Sequence, residues 1–202
     1  MSNKKEYQKL KGVETNIERR SLKGLVRMNA DSRSVEGVAA IIGQKYDMGW
    51  YEEVIEVGAF DNALKTSDIR CLFNHDANQL LARTSSKTLT VWVEGKELRY
   101  KFDAPKTRDD IIEMLERGDL QESSFQFRIK EQRWVETQQG DDWNYVRHID
   151  EFEILYDVAP VTFPANPSTS VAKRSFDAFK NEQPKPTNNI PLSLHERELN
   201  TL

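Results

Sequence analysis

A histidine and a pair of serines are the residues of this chain best suited to move a proton and attack a carbonyl. The histidine lies in Leu72-Phe73-Asn74-His75-Asp76, and the serines lie in Glu122-Ser123-Ser124-Phe125-Gln126-Phe127. A serine hydroxyl beside an imidazole, with a third group that fixes the imidazole tautomer, is the minimal set for acyl transfer. Asp76 is the nearest carboxylate in sequence. Neighbours on an extended segment point to opposite sides, however, so Asp76 is not the expected orienting group. Ser124 is favoured over Ser123 by the pattern around it. Residues 123–130 alternate, with Ser123, Phe125, Phe127 and Ile129 on one side and Ser124, Gln126 and Arg128 on the other. Ser124 is therefore expected on the polar face. Arg128 shares that face and is a candidate oxyanion stabiliser, although a solvated strand arginine is the plainer reading.

Other chemistries find little support. Cys71 is the single cysteine, and the three histidines are scattered, so no paired metal-ligand spacing exists and neither metal nor cofactor is expected. One cysteine also allows no intrachain disulfide, which suits a reducing cytosol. The net charge of -4 argues against a broad basic face, so nucleic acid is not an expected partner. No run of about 18 apolar residues is present, so no membrane association is expected, and the charged start Met1–Glu6 is followed by no apolar leader. With 202 residues, 38% hydrophobic and 31% charged, the chain reads as one soluble domain plus a tail.

The elements that must position these residues are mostly strands. Residues 1–22 are polar and read as an extended arm or the lead into a first strand, with 1–16 as a flexible arm. Residues 35–42 read as a buried strand in which Gly37 allows close packing. A short helix is expected after Gly58, with Asp61 as its cap. Residues 69–73 form an apolar strand that runs into Asn74-His75-Asp76. Two alternating runs, 88–93 and 97–103, flank Glu94-Gly95-Lys96 as a hairpin. A helix is predicted over 108–117, with Thr107 and Asp110 as a capping box and Gly118 as the stop. A second hairpin pairs 133–136 with 143–149 around Gln139–Asp142, and 152–158 is a further strand. The four tryptophans, Trp50, Trp92, Trp134 and Trp143, read as core or rim residues rather than a ligand stack. Beyond Arg174 the character changes: Pro184, Pro186 and Pro191 and little apolar content mark 175–202 as a flexible tail. The fold class is a mainly β barrel or a β-rich α+β domain over residues 1–174.

Several of these segments together resemble the prohead (procapsid) maturation serine proteases of tailed bacteriophages, the HK97-type family. They are Glu56–Phe60, Leu72–Asp76, the 88–103 hairpin, Gly118 with Ser124–Phe127, and Leu155–Ala165. The resemblance spans about residues 17–174. It implies a β-barrel flanked by a few helices, similar to herpesvirus assemblin, and a serine endopeptidase that uses no cofactor. It assigns His75 as base, Ser124 as nucleophile and Asp157 as the third member, with His148 and Glu153 as rivals. His148 is in contention because assemblin-type sites use a second histidine. The chain departs from the family pattern at Glu122, Asp157 and Ala159, where a small residue, Glu and Ser are frequent. The implied substrates and partners are the major capsid protein with its scaffolding segment and the protease itself, inside the procapsid in the bacterial host cytoplasm. The competing reading is an inactive capsid-assembly or scaffolding module that keeps the fold. A Ser124–His75 separation above about 6 Å would favour that reading.

Overall fold

The computed structural model describes residues 3–7, 17–22, 26–28, 32–139, 142–163 and 170–182. Its strands run in chain order as β1 (Asn3–Tyr7), β2 (Glu18–Leu22), β3 (Val26–Met28), β4 (Ser34–Ile41), β5 (Lys45–Asp47) and β6 (Glu52–Ile55). Helix α1 (Asp61–Thr66) leads to β7 (Arg70–Leu72), a 3-10 turn (Phe73–His75) and β8 (Leu80–Arg83). Then come β9 (Leu89–Glu94), β10 (Glu97–Asp103), α2 (Asp109–Glu116), β11 (Glu122–Gln139), β12 (Asp142–Val161) and α3 (Ser170–Glu182).

The centre of the fold is one long antiparallel ribbon. β11 and β12 pair from Glu122↔Val161 to Gln139↔Asp142, so what the sequence presents as separate short strands is continuous. Irregularities in the register between Gln126 and Gln132 bend the ribbon without ending it. Each half finds different partners. The half near Gln139 takes β1 on β11 and β6 on β12, while the half near Glu122 takes β2 on β11 and β7 on β12. The arm expected over 1–16 is thus, where described, a paired strand at Asn3–Tyr7.

A second sheet has the order β3-β4-β10-β9 and includes the expected hairpin around Gly95. The main core lies between the sheets. Val35, Ala39, Leu98, Tyr100 and Phe102 meet Phe125, Phe127, Phe152, Leu155 and Val158, with Phe60 of the α1 turn and Ile111 of α2 closing the ends. The expected class, mainly β with a few helices, is what is seen. The barrel is not: among the described residues both sheets are open, and β3 and β9 remain edges.

Tyr100 links the sheets. Its ring lies over Gly37, where an added Cβ would stand 2.3 Å from Cζ, so the close approach needs glycine. Its hydroxyl accepts a hydrogen bond from Ser123 Oγ at 3.1 Å. Ser123 is therefore the core serine of the pair, and burial pushes the Tyr100 phenol well above its ordinary value.

The helix starts differ from expectation. Phe60, not Asp61, is the N-cap of α1, and Arg108 caps α2; neither makes a side-chain capping bond. Asp110 binds the Arg108 guanidinium instead of closing a capping box. The stop is as read: Gly118 takes φ +76, and Asp119 N–H donates to Met114 O.

The boundary placed after Arg174 falls inside α3. Phe179 is buried with Met48, Tyr51 and Trp134, and its ring stacks on Trp134 at 4.6 Å. The rest of the expected tail, 183–202, lies outside the described residues. Phe179→Ala is expected to cost about 3 kcal/mol in urea unfolding, the usual loss for a buried aromatic. A chain shortened to Arg174 should melt well below one shortened to Glu182.

Candidate active site

Four adjacent strands of the large sheet converge at the candidate residues. β2, β11, β12 and β7 lie side by side, and β7 runs parallel to β12 with Asp157 opposite Arg70 and Val158 opposite Cys71. The register of β11 on β12 sets Ser124 opposite Ala159 and Gln126 opposite Asp157. Ser124 and Asp157 are thus diagonal neighbours on the face away from Phe125 and Val158. β7 begins opposite Asp157 and runs on past Val158, and the turn that follows returns His75 over that same face.

His75 joins the other two. Its Nδ1 lies 2.5 Å from Asp157 Oδ1, and its Nε2 lies 2.8 Å from Ser124 Oγ. With the Nδ1–H donating to the carboxylate, the neutral ring presents the Nε2 lone pair to the hydroxyl. The group is secluded: Ser124 is 0% exposed and Asp157 3%. Cys71, also buried, stays a thiol because burial and then the Asp157 charge push its pKa well up.

The turn bearing His75 is built from an unusual backbone. Asn74 (φ 55, ψ 28) and His75 (φ 57) are both left-handed, a conformation that costs a non-glycine residue about 1 kcal/mol or more. Asn and His tolerate it better than most residues, which gives the Asn-His dipeptide a local meaning. The Asp76 carboxylate caps its own turn, accepting from Asn78 N–H at 2.9 Å, and is not the group bound to the His75 ring. Arg108 donates to Gln79 at 2.9 Å and so ties the start of α2 to the foot of the loop.

On its other side Ser124 meets β2. Its hydroxyl lies 2.8 Å from the Arg20 carbonyl, so one proton has two acceptors, that oxygen and His75 Nε2. When the imidazole is protonated, Nε2–H donates to Oγ and the hydroxyl turns to Arg20 O.

Beneath β2 lies a set of buried charges absent from the sequence reading. Arg20 donates to Glu53 at 2.6 and 2.7 Å and to Glu18 at 2.7 Å. Arg147 donates to Glu18 at 2.9 Å, to Glu53 at 3.1 Å and to Gln132 at 2.6 Å. The charges balance, and each carboxylate is held by both guanidiniums. Strand charges ordinarily face water, so only the Glu18-x-Arg20 spacing hinted at a shared face.

The rival site residues lie elsewhere. His148 binds Glu56 at 2.6 Å in the opposite half of the ribbon, and Glu153 pairs with Arg128 at 2.5 Å. That pairing also occupies the guanidinium considered for an oxyanion. Among the four tryptophans Trp134 is core, whereas Trp50 and Trp143 are exposed. Among the described residues, no cluster of three or more His, Cys, Asp or Glu is gathered to hold a metal ion, and no helix is long and apolar enough to cross a membrane.

A hydroxyl, an imidazole and a carboxylate in this order define the kind of site that serine hydrolases use for acyl transfer. The family model of the caudovirus prohead serine proteases matches residues 16–182, and the chain belongs to that family. Neither a curated protein nor a solved structure matches the chain. Membership carries with it the serine-protease class and a place in phage capsid maturation.

The buried charges make a pH prediction. Burial alone would raise the Glu18 carboxyl, but the charges and hydrogen bonds of Arg147 and Arg20 overcome it and hold the pKa at about 2, against an ordinary 4.5. The folded pKa is depressed, so the stabilisation is complete above pH 4.5 and is lost as pH falls through about 2. Urea midpoints should fall over that window, and less steeply in Glu18→Gln. Arg147→Met leaves two buried carboxylates short of a partner and is expected to cost about 3–5 kcal/mol.

Proposed function

We propose that this protein is a serine endopeptidase whose base is His75, whose nucleophile is Ser124 and whose orienting carboxylate is Asp157. The observation that carries the proposal is the continuous path Asp157 Oδ1–His75 Nδ1 and His75 Nε2–Ser124 Oγ, at 2.5 and 2.8 Å. His75 takes the hydroxyl proton as Oγ attacks the scissile carbonyl, then returns it to the leaving amine. Asp157 keeps the proton on Nδ1 and stabilises the imidazolium. Water repeats the sequence on the acyl-enzyme. Because Ser124 is fully covered, acylation requires the cover above Oγ to open.

The substrates we propose are the major capsid protein, through its scaffolding segment, and the protease itself. The place of action is the interior of the procapsid in the bacterial host cytoplasm. Family membership supports these assignments. The reading as an inactive assembly module called for a wide gap between Ser124 and His75; the 2.8 Å separation supports the catalytic reading.

Co-expression with the cognate capsid protein, followed by intact-mass measurement, tests the proposal. Ser124→Ala and His75→Ala should keep their melting temperatures and leave the capsid protein full length. Asp157→Asn, which favours the wrong tautomer, is expected to lower kcat about 10⁴-fold. A folded Ser124→Ala variant that still cleaves at the wild-type rate overturns the assignment.

A further inference from the structure

The strained pair that presents His75 needs something to hold it, because two consecutive left-handed residues do not persist unaided. Within the turn, Phe73 N–H donates to Gln79 O, Asp76 N–H to Phe73 O and Gln79 N–H to Asp76 O. These bonds fix the feet of the loop but do not reach residues 74 and 75. Asn74 does. Its Oδ1 accepts from Thr162 N–H at 2.8 Å and from Thr162 Oγ1 at 3.2 Å. Thr162 follows Val161, the last residue of β12 paired with β11, so its N–H lies just beyond the ladder. β12 is also the strand that carries Asp157. The Asn74 side chain therefore ties the turn that carries the imidazole to the strand that carries its carboxylate.

We infer that Asn74 is a positioning residue: anchored on the Thr162 backbone, it holds His75 in line between Asp157 and Ser124. This inference rests on the reading of His75 as the base. Both Asn74 and Thr162 are exposed, so their bond adds little to stability. Its effect falls on geometry, where a displacement of about 1 Å in a catalytic group costs about 10²-fold in rate.

The test uses the full chain and two readouts: labelling of Ser124 by a fluorophosphonate, and cleavage of the capsid protein. Asn74→Gly keeps the left-handed backbone and removes the acceptor. Labelling and kcat should fall about 10- to 100-fold, with KM unchanged and the melting temperature within a few degrees of wild type. Asn74→Asp keeps an acceptor oxygen and should stay within about threefold of wild type. Thr162→Val keeps the backbone donor and is expected to behave like Asn74→Asp. If Asn74→Gly does not fold, Asn74→Ala takes its place with the same expected loss. Wild-type labelling in folded Asn74→Gly or Asn74→Ala, or a loss of the same size in Asn74→Asp, overturns the positioning role. Either result leaves the assignment of Ser124 standing as long as Ser124→Ala neither labels nor cleaves. Cleavage that persists in Ser124→Ala overturns the functional reading, and with it the role of Asn74.

Discussion

The register between β11 and β12 is the constraint on which the rest of the site depends. Opposing Ser124 to Ala159 and Gln126 to Asp157 puts a hydroxyl and a carboxylate on one face, one diagonal step apart. A slip of one residue would turn Asp157 to the other face and bring Val158 in its place. The register is pinned from the opposite face. Phe125, Phe127, Phe152 and Val158 are wholly buried, and Ser123 hydrogen-bonds Tyr100 of the second sheet. The apolar core thereby decides which serine is turned to His75.

The ribbon alone does not deliver the histidine. β7 brings the chain alongside Asp157 in parallel, and the two left-handed residues then fold His75 back over the sheet. An ordinary turn would continue away from β12. Local strain is accepted here because the contacts of Asn74, Asp76 and Gln79 over-determine the loop.

β2 forms the other wall. Its charged side chains, Glu18 and Arg20, point inward and are neutralised there by Glu53 and Arg147. An ion set this deep is a poor source of net stability, since desolvation offsets most of the attraction. It does impose one position on the strand, because any shift would leave a charge unpaired in the interior. The Arg20 carbonyl is fixed beside Ser124 as a consequence.

The sequence by itself determined the mainly β class, the hairpin around Gly95, the glycine stop of α2 and that Ser123 and Ser124 turn to opposite faces. All of these follow from period-2 alternation or from a single glycine's freedom, both local properties of the chain. It also marked His75 and Asp157, through motif resemblance rather than geometry. It did not reveal that 122–139 and 142–161 are two unbroken strands, because irregularities near Arg128 and Glu131 interrupt the alternation without interrupting the pairing. Composition alone divides residues 170–182 at 174, since Phe176 and Phe179 acquire partners only when Tyr51, Trp134 and Tyr145 are assembled by distant strands. Nothing local marks Glu18, Arg20, Glu53 and Arg147 as buried, for the same reason: a charge can be buried only where opposite charges from other strands meet it. The choice of Asp157 over His148 and Glu153 as the group beside His75 was likewise tertiary. All three lie on β12, and only the position of β7 decides which of them the His75 turn can reach.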